Sequence, residues 1–313
     1  MEAKNRLMPI ISVLQNKILP IRREIINLLV FFDLFSYPLT AFEIWRYLDG
    51  QYELLELMAI LENLSLIVSQ KNGFYFLAGR DEIVALRSRR YNYTRRKIKI
   101  ARRFTRLASL CPFVRSVALA NVIGDFNLRD ESDIDLFIIT SPRRLWLTRL
   151  LAAGLAKILG RRPTPNEKKD KLCLSFYISL EHLNLVDLKL PGSGREADPY
   201  FYYWQRSLVP LFDRWGTFKR FLAANDLMPL IGEGSKTRKT SSSPRPRRLL
   251  NFLEVWARRW QLKIMPLALK EVLHKDEGVI ANESVLKLYW PDRRREFLNQ
   301  FNYKLNALLA KIN

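Results

Sequence analysis

Apolar residues fill Ile21–Phe35, and Ser36-Tyr37-Pro38 closes the run, which predicts a first helix. Thr40 then stands as an N-cap with Glu43 three residues on, a capping-box spacing that starts a second helix over Ala41–Leu48. Leu54, Leu57, Met58, Ile60, Leu61 and Leu64 recur at helical intervals and predict a third over Glu53–Leu64. Two strand-like runs flank Asn72-Gly73, a dipeptide that accepts positive φ at both positions and so marks a hairpin. From Asp81 to Leu110 a single stripe of Ile83, Leu86, Tyr93, Ile100, Phe104 and Leu107 predicts one long helix.

Beyond Pro112 the pattern shifts. Val114–Leu119, Asp133–Thr140 and Leu172–Ile178 read as strands, with a helix over Pro142–Leu159 that carries proline in its first turn. Asp198–Phe221 reads as helical, and its cluster Tyr200, Phe201, Tyr202, Tyr203 and Trp204 is expected to pack on a core. Gly232–Arg248 holds almost nothing apolar and reads as a linker. An amphipathic helix over Leu249–Leu273, interrupted near Pro266, follows it; a strand-like Ser284–Tyr289 and a last helix over Asp292–Ile312 complete the chain. The expected class is α+β. The expected parts are a module over 1–80, a core over 81–231, a linker over 232–248 and a C-terminal helical region over 249–313.

Charge sharpens this picture. Fifty-two Lys and Arg against 31 Asp and Glu leave a formal net charge of +21, which concentrates polyanions near the surface. Much of it lies in the long helix, where Arg87, Arg89, Arg90, Arg95, Arg96, Lys97, Lys99, Arg102, Arg103 and Arg106 follow one another without an acid. That basic helix, 87–106, is expected either to receive a nucleic-acid or protein acceptor or to be a solvated face. Two cysteines and two well-separated histidines exclude a disulfide framework and a His- or Cys-rich metal centre. The first residues lack a signal-peptide core and no apolar run is of spanning length, so the expectation is a cytoplasmic protein with no membrane partner.

The stretch with most chemistry is Ala120-Asn121-Val122-Ile123-Gly124, then Ser132-Asp133-Ile134-Asp135-Leu136 opening an apolar strand. Side chains alternate along a strand, so Asp133 and Asp135 share a face. Two carboxylates held together repel unless a cation lies between them, and a divalent ion, usually Mg²⁺, would bring the phosphates of a nucleotide as further ligands.

Three helices and a hairpin at the start of the chain resemble a winged helix-turn-helix module. Its third helix offers Glu53, Glu56, Glu62 and Asn63 in place of cations, which favours protein docking over DNA reading. The Ser-Asp-x-Asp strand start resembles the polymerase-beta-like nucleotidyltransferase superfamily, over about Pro112–Ile178, and the whole chain resembles bacterial proteins that place a winged-helix segment before such a core. The resemblance implies a mixed sheet with helices and Mg²⁺ held by Asp133 and Asp135. It also implies a turn, here with Asn121, Gly124 and Ser132, that holds a nucleoside triphosphate. The reaction it implies moves a nucleoside monophosphate to a hydroxyl acceptor. At the family's Gly-Ser position this chain reads Ala120-Asn121 or Asn121-Val122. Its third strand contains no acid; Glu181 and Asp187, beyond that strand, are the substitutes on offer. Two readings therefore stand side by side: a Mg²⁺-dependent nucleotidyltransferase, and a catalytically degenerate nucleotide- or nucleic-acid-binding regulator.

Overall fold

The structure is a computed structural model that describes residues 20–48, 52–121, 123–124, 126–164, 166–192, 194, 196–227 and 248–310. It is a mixed α+β protein with two sheets, and it divides into two compact units: residues 1–89 with 296–313, and residues 90–295. Of the expected linker 232–248, all but Arg248 lies outside the described residues.

In the first unit, α1 (20–33) buries Ile21, Ile25, Leu28, Leu29 and Phe32. A two-residue strand β1 (Leu39–Thr40) leads into α2 (Ala41–Tyr47), whose capping box forms as its spacing predicts: Glu43 N–H donates to the Thr40 hydroxyl and Thr40 N–H to the Glu43 carboxylate. Glu43 has a second task. Its carboxylate accepts a two-pronged bond from Arg87 at 2.8 and 2.9 Å and one from the Tyr37 hydroxyl. Burial opposes ionisation there, yet Arg87 and these donors hold its pKa below the usual carboxylate range. After α3 (Leu54–Glu62), β2 (Val68–Lys71) and β3 (Phe74–Leu77) form the hairpin, with Asn72 at φ 53° and Gly73 at φ 79° as the turn demands. The sheet order is β1-β3-β2, all antiparallel. Leu57 belongs to this unit's core, whereas Leu54 and Met58 remain partly exposed.

The second unit carries a six-stranded sheet in the order β7-β4-β5-β6-β9-β8. The long helix α4 (Glu82–Ala108) contributes its length beyond Arg89 to it. β4 (Val114–Leu119) runs antiparallel to β5 (Ile134–Thr140), and the crossover helix α5 (Leu145–Ile158) returns the chain so that β6 (Leu172–Ser179) lies parallel to β5. One cluster joins Ile98, Ala101 and Phe104 of α4 and Trp146, Ala152 and Ala156 of α5 to Val117, Ile134, Leu136 and Ile138 of the sheet. A second, aromatic layer unites Phe137 and Phe176 with Trp204 and Phe221, ring centroids 5.0–5.8 Å apart.

Several sequence expectations need correction. Asp198–Phe221 is not one helix but α6 (Pro199–Arg206), an edge strand β7 (Val209–Asp213) and α7 (Thr217–Ala224). Pro210 suits that edge, where one row of amide positions has no ladder partner. α5 starts three residues after Pro142, because Arg143 sits at φ 54°. Its first amides are closed by Glu254 of α8 (Arg248–Lys263), which accepts from Trp146 and Leu147 N–H at 2.8 and 2.9 Å. The chain breaks at Pro266 before α9 (Leu267–Glu271), as its proline requires. The C-terminal region is not purely helical either: β8 (Val279–Ala281) and β9 (Val285–Leu288) complete the sheet beside β6, before α10 (Arg294–Leu309). The stripe expected along α4 is also revised. Leu107 is 44% exposed, while Arg90, Thr94 and Lys97 are buried.

Candidate active site: a carboxylate pair opening a strand

Asp133 precedes β5 and Asp135 is its second residue, so the pleat turns both carboxylates to one face. β5 and β6 pair Asp135 with Cys173, and a bulge follows before Phe137 meets Phe176. The consequence is a three-membered cluster: one ligand atom each of Asp133, Asp135 and Cys173 lie within 4.8 Å of one another. Burial and the Asp133 charge push the Asp135 carboxyl up to about 7, against the pull of Cys173 and Asn121. Burial likewise raises Asp133, and burial with the Asp135 charge drives the Cys173 thiol up, so it is neutral at pH 7. The Cys173 Sγ also contacts the Ser175 hydroxyl at 3.1 Å.

The loop ahead of Asp133 is held by α4. Lys97 is fully buried, and its ammonium donates to the carbonyls of Asp130 (2.9 Å) and Ser132 (2.5 Å) and to the Asp170 carboxylate (2.8 Å). Arg96 bridges Asp130 and Asp170, and the Arg90 guanidinium donates to the Asn127 side chain. Leu128 N–H donates to Thr94 Oγ1. The basic helix is thus not simply solvated: Arg87, Arg90, Arg96 and Lys97 are internal partners. Arg95, Lys99, Arg102, Arg103 and Arg106 remain exposed at helical spacing. Replacing Lys97 with Met is expected to cost about 2–4 kcal/mol, because two buried carbonyls lose their donor and Asp170 is left with Arg96 alone. Urea unfolding measures this, and a loss below about 1 kcal/mol would show that the lysine does not hold the loop.

Asn121 sits beside the pair: its amide donates to the Asp133 carbonyl at 3.0 Å, while its own Oδ1 is buried without a partner. Ser132 donates its hydroxyl to the carbonyls of Arg129 and Asp133. Gly124 supplies the backbone freedom of this turn. It is left-handed at φ 80°, and its N–H donates to the Ser207 hydroxyl at 3.1 Å.

No match to this chain emerges from known families, curated proteins or solved structures.

Glu181 and Asp187 do not complete the site. Glu181 sits in the turn past the far end of β6, whose last residue Ser179 is roughly 20 Å along the strand from Cys173 at about 3.3 Å per residue. Asp187 pairs with His182 beyond it. Among the described residues, Cys173 is the further His, Cys, Asp or Glu side chain gathered with the pair. Two tyrosines from distant segments also approach: burial and the Asp135 charge raise the hydroxyl pKa values of Tyr200 and Tyr289. Tyr289 also meets Phe176 edge-on, and Trp204 stacks on the same Phe176 ring, so an aromatic wall adjoins the carboxylates.

For Mg²⁺ the oxygen donors fit. Asp133 and Asp135 carboxylates and the orphaned Asn121 Oδ1 are hard ligands of the kind that ion takes. The neutral Cys173 thiol is not such a ligand. The two carboxylates would hold the ion, which would neutralise the pair and draw phosphate oxygens to it.

Proposed function

We propose that residues 90–295 bind a nucleoside triphosphate as its divalent-metal complex, with Asp133 and Asp135 holding the metal and Asn121 beside them, in the manner of the nucleotidyltransferase superfamily. The observation that carries this is the Asp133–Asp135 pair, both half-buried on one face of β5: two carboxylates so placed call for a cation, and Mg²⁺ brings triphosphate with it. The antiparallel β4–β5 pair, the α5 crossover and the parallel β6 support the superfamily reading of the core. Helix, strand, two helices and a hairpin in 20–77 support the winged-helix reading of the first module.

Binding, rather than transfer, is the principal work under this reading, because Cys173 faces Asp135 where a third carboxylate would serve as base. The transfer reading keeps support from the metal donors, since positioning and electrostatics do much of phosphoryl-type chemistry. The exposed stripe of Arg95, Lys99, Arg102, Arg103 and Arg106 would guide an anionic acceptor or regulatory nucleic acid.

Calorimetric titration with ATP, GTP, CTP and UTP, with Mg²⁺ and with chelator, tests the proposal. At least one triphosphate is expected to bind tenfold or more tightly with Mg²⁺, about 1.4 kcal/mol. Equal affinity in the Asp133→Asn/Asp135→Asn variant would remove the site.

A further inference from the structure

Helix α8 has two committed sides. Its inner side buries Ala257 and Gln261, places Glu254 on the first amides of α5 and lets Gln261 donate to the Trp146 carbonyl. The outer side is apolar as well. Leu249, Phe252, Val255, Trp256, Trp260 and Ile264 are each 41–69% exposed. Positions 249, 252, 256 and 260 fall at i, i+3, i+7 and i+11, so they form one stripe. The Trp256 and Trp260 rings lie nearly parallel, 6.2 Å apart, and Leu267 extends the surface just past the helix. Interleaved with these are exposed Arg248, Arg259 and Lys263; the helix's one acid, Glu254, is on the other side.

We infer that this stripe docks on an anionic lipid bilayer, with α8 lying in the interface plane. Its apolar side chains require an apolar partner, and its cations require an anionic one. A bilayer containing anionic lipid supplies both at adjacent depths. Tryptophan suits the headgroup level, and long Arg and Lys side chains lay their stems along apolar surface while their charges reach phosphate. A second copy of the chain would set Arg248, Arg259 and Lys263 against their own kind, in a protein of net charge +21. A nucleic acid would satisfy the cations and the indoles, but it offers nothing to Leu249, Val255, Ile264 and Leu267. No helix among the described residues is long and apolar enough to cross a membrane. An interfacial helix needs no such length, so the inference replaces the expectation of no membrane partner.

The full chain is to be floated with vesicles of phosphatidylcholine, and with vesicles of equal parts phosphatidylcholine and phosphatidylglycerol. Partitioning onto the anionic vesicles is expected to exceed that onto neutral ones by about tenfold or more. Phe252→Ser and Trp256→Ser are each expected to reduce it by about tenfold, and Arg259→Glu with Lys263→Glu to reduce it similarly. The melting midpoint should stay in place, because these side chains are exposed. Three results overturn the inference: no preference for anionic vesicles, vesicle binding unchanged in both Ser variants, or sedimentation showing a dimer that Phe252→Ser dissolves. Retention of duplex DNA or RNA that the Ser variants lose, without vesicle binding, overturns it in favour of a nucleic-acid face.

Discussion

Without divalent metal, the melting midpoint of the wild-type protein is expected to fall, relative to that of Asp135→Asn, as pH rises from about 4 to about 7. Asp135 has its carboxyl raised from 3.8 to about 7 by burial and by Asp133. Below the unfolded-state value both states hold the proton, and the stabilising contribution is complete. Above it the unfolded chain releases the proton while the fold retains it, so stability drains until the folded-state value is passed. The loss is on the order of a few kcal/mol, or roughly 5–10 °C for a unit of this size. Asp133, Glu254 and Asp213 are also raised, and they add to the same slope. Glu43, Asp170, Asp130 and Asp292 are lowered and act oppositely. The wild-type minus Asp135→Asn difference therefore isolates the site. Adding Mg²⁺ above pH 7 should recover the lost midpoint in the wild type alone, because a bound cation keeps both carboxylates ionised. Parallel pH profiles, with no Mg²⁺ response, would show that the pair is not a metal site.

Cys173→Asp is expected to raise Mg²⁺-dependent pyrophosphate release by about 100-fold over the wild type, the lower end of what a positioned base contributes. The reasoning is geometric. Cys173 is the β6 partner of Asp135, and its thiol, raised in pKa by burial and the Asp135 charge, already carries its proton at neutral pH and cannot take another. In transfer, an acceptor hydroxyl oxygen bonds to the α-phosphorus, the bond to the β-bridging oxygen breaks, and pyrophosphate leaves with that electron pair. The hydroxyl proton must go to a base, which the substitution would provide. Water or glycerol as acceptor and a coupled phosphate assay suffice to measure it. If the wild type already turns over as fast as the variant, the binding-only reading is wrong and another group removes the proton.

Local signals carried most of the secondary structure. The Thr40–Glu43 box, the Asn72-Gly73 turn, the three central strands and the break at Pro266 are each decided by residues a few positions apart, and each forms. β7 was illegible because Val209–Asp213 has no alternating pattern; its pairing with Ser116–Leu119 makes it a strand. β8 is only three residues long. The Asp133–Asp135 face follows from strand geometry, but Cys173, Tyr200 and Tyr289 reach it through pairing and packing of remote segments. Lys97 did leave a trace. It shares the 93, 97, 100, 104 spacing of the apolar stripe, which marks a cation turned inward, though its carbonyl partners lie more than thirty positions on.

The position of β9 bears on how the protein is made. Ile178 of β6 pairs with Val285, and the Trp146 indole N–H donates to the Asn282 carbonyl. A nascent chain that has emerged only as far as α8 already holds β4, β5 and β6, yet one flank of β6 still presents open amide and carbonyl groups above a largely apolar strand. Such a flank is a template for pairing with another nascent chain until the last hairpin arrives. Chains that terminate early, short of Val279, are therefore expected to accumulate as insoluble material rather than as a smaller working domain. Synthesis of the final segment closes that window.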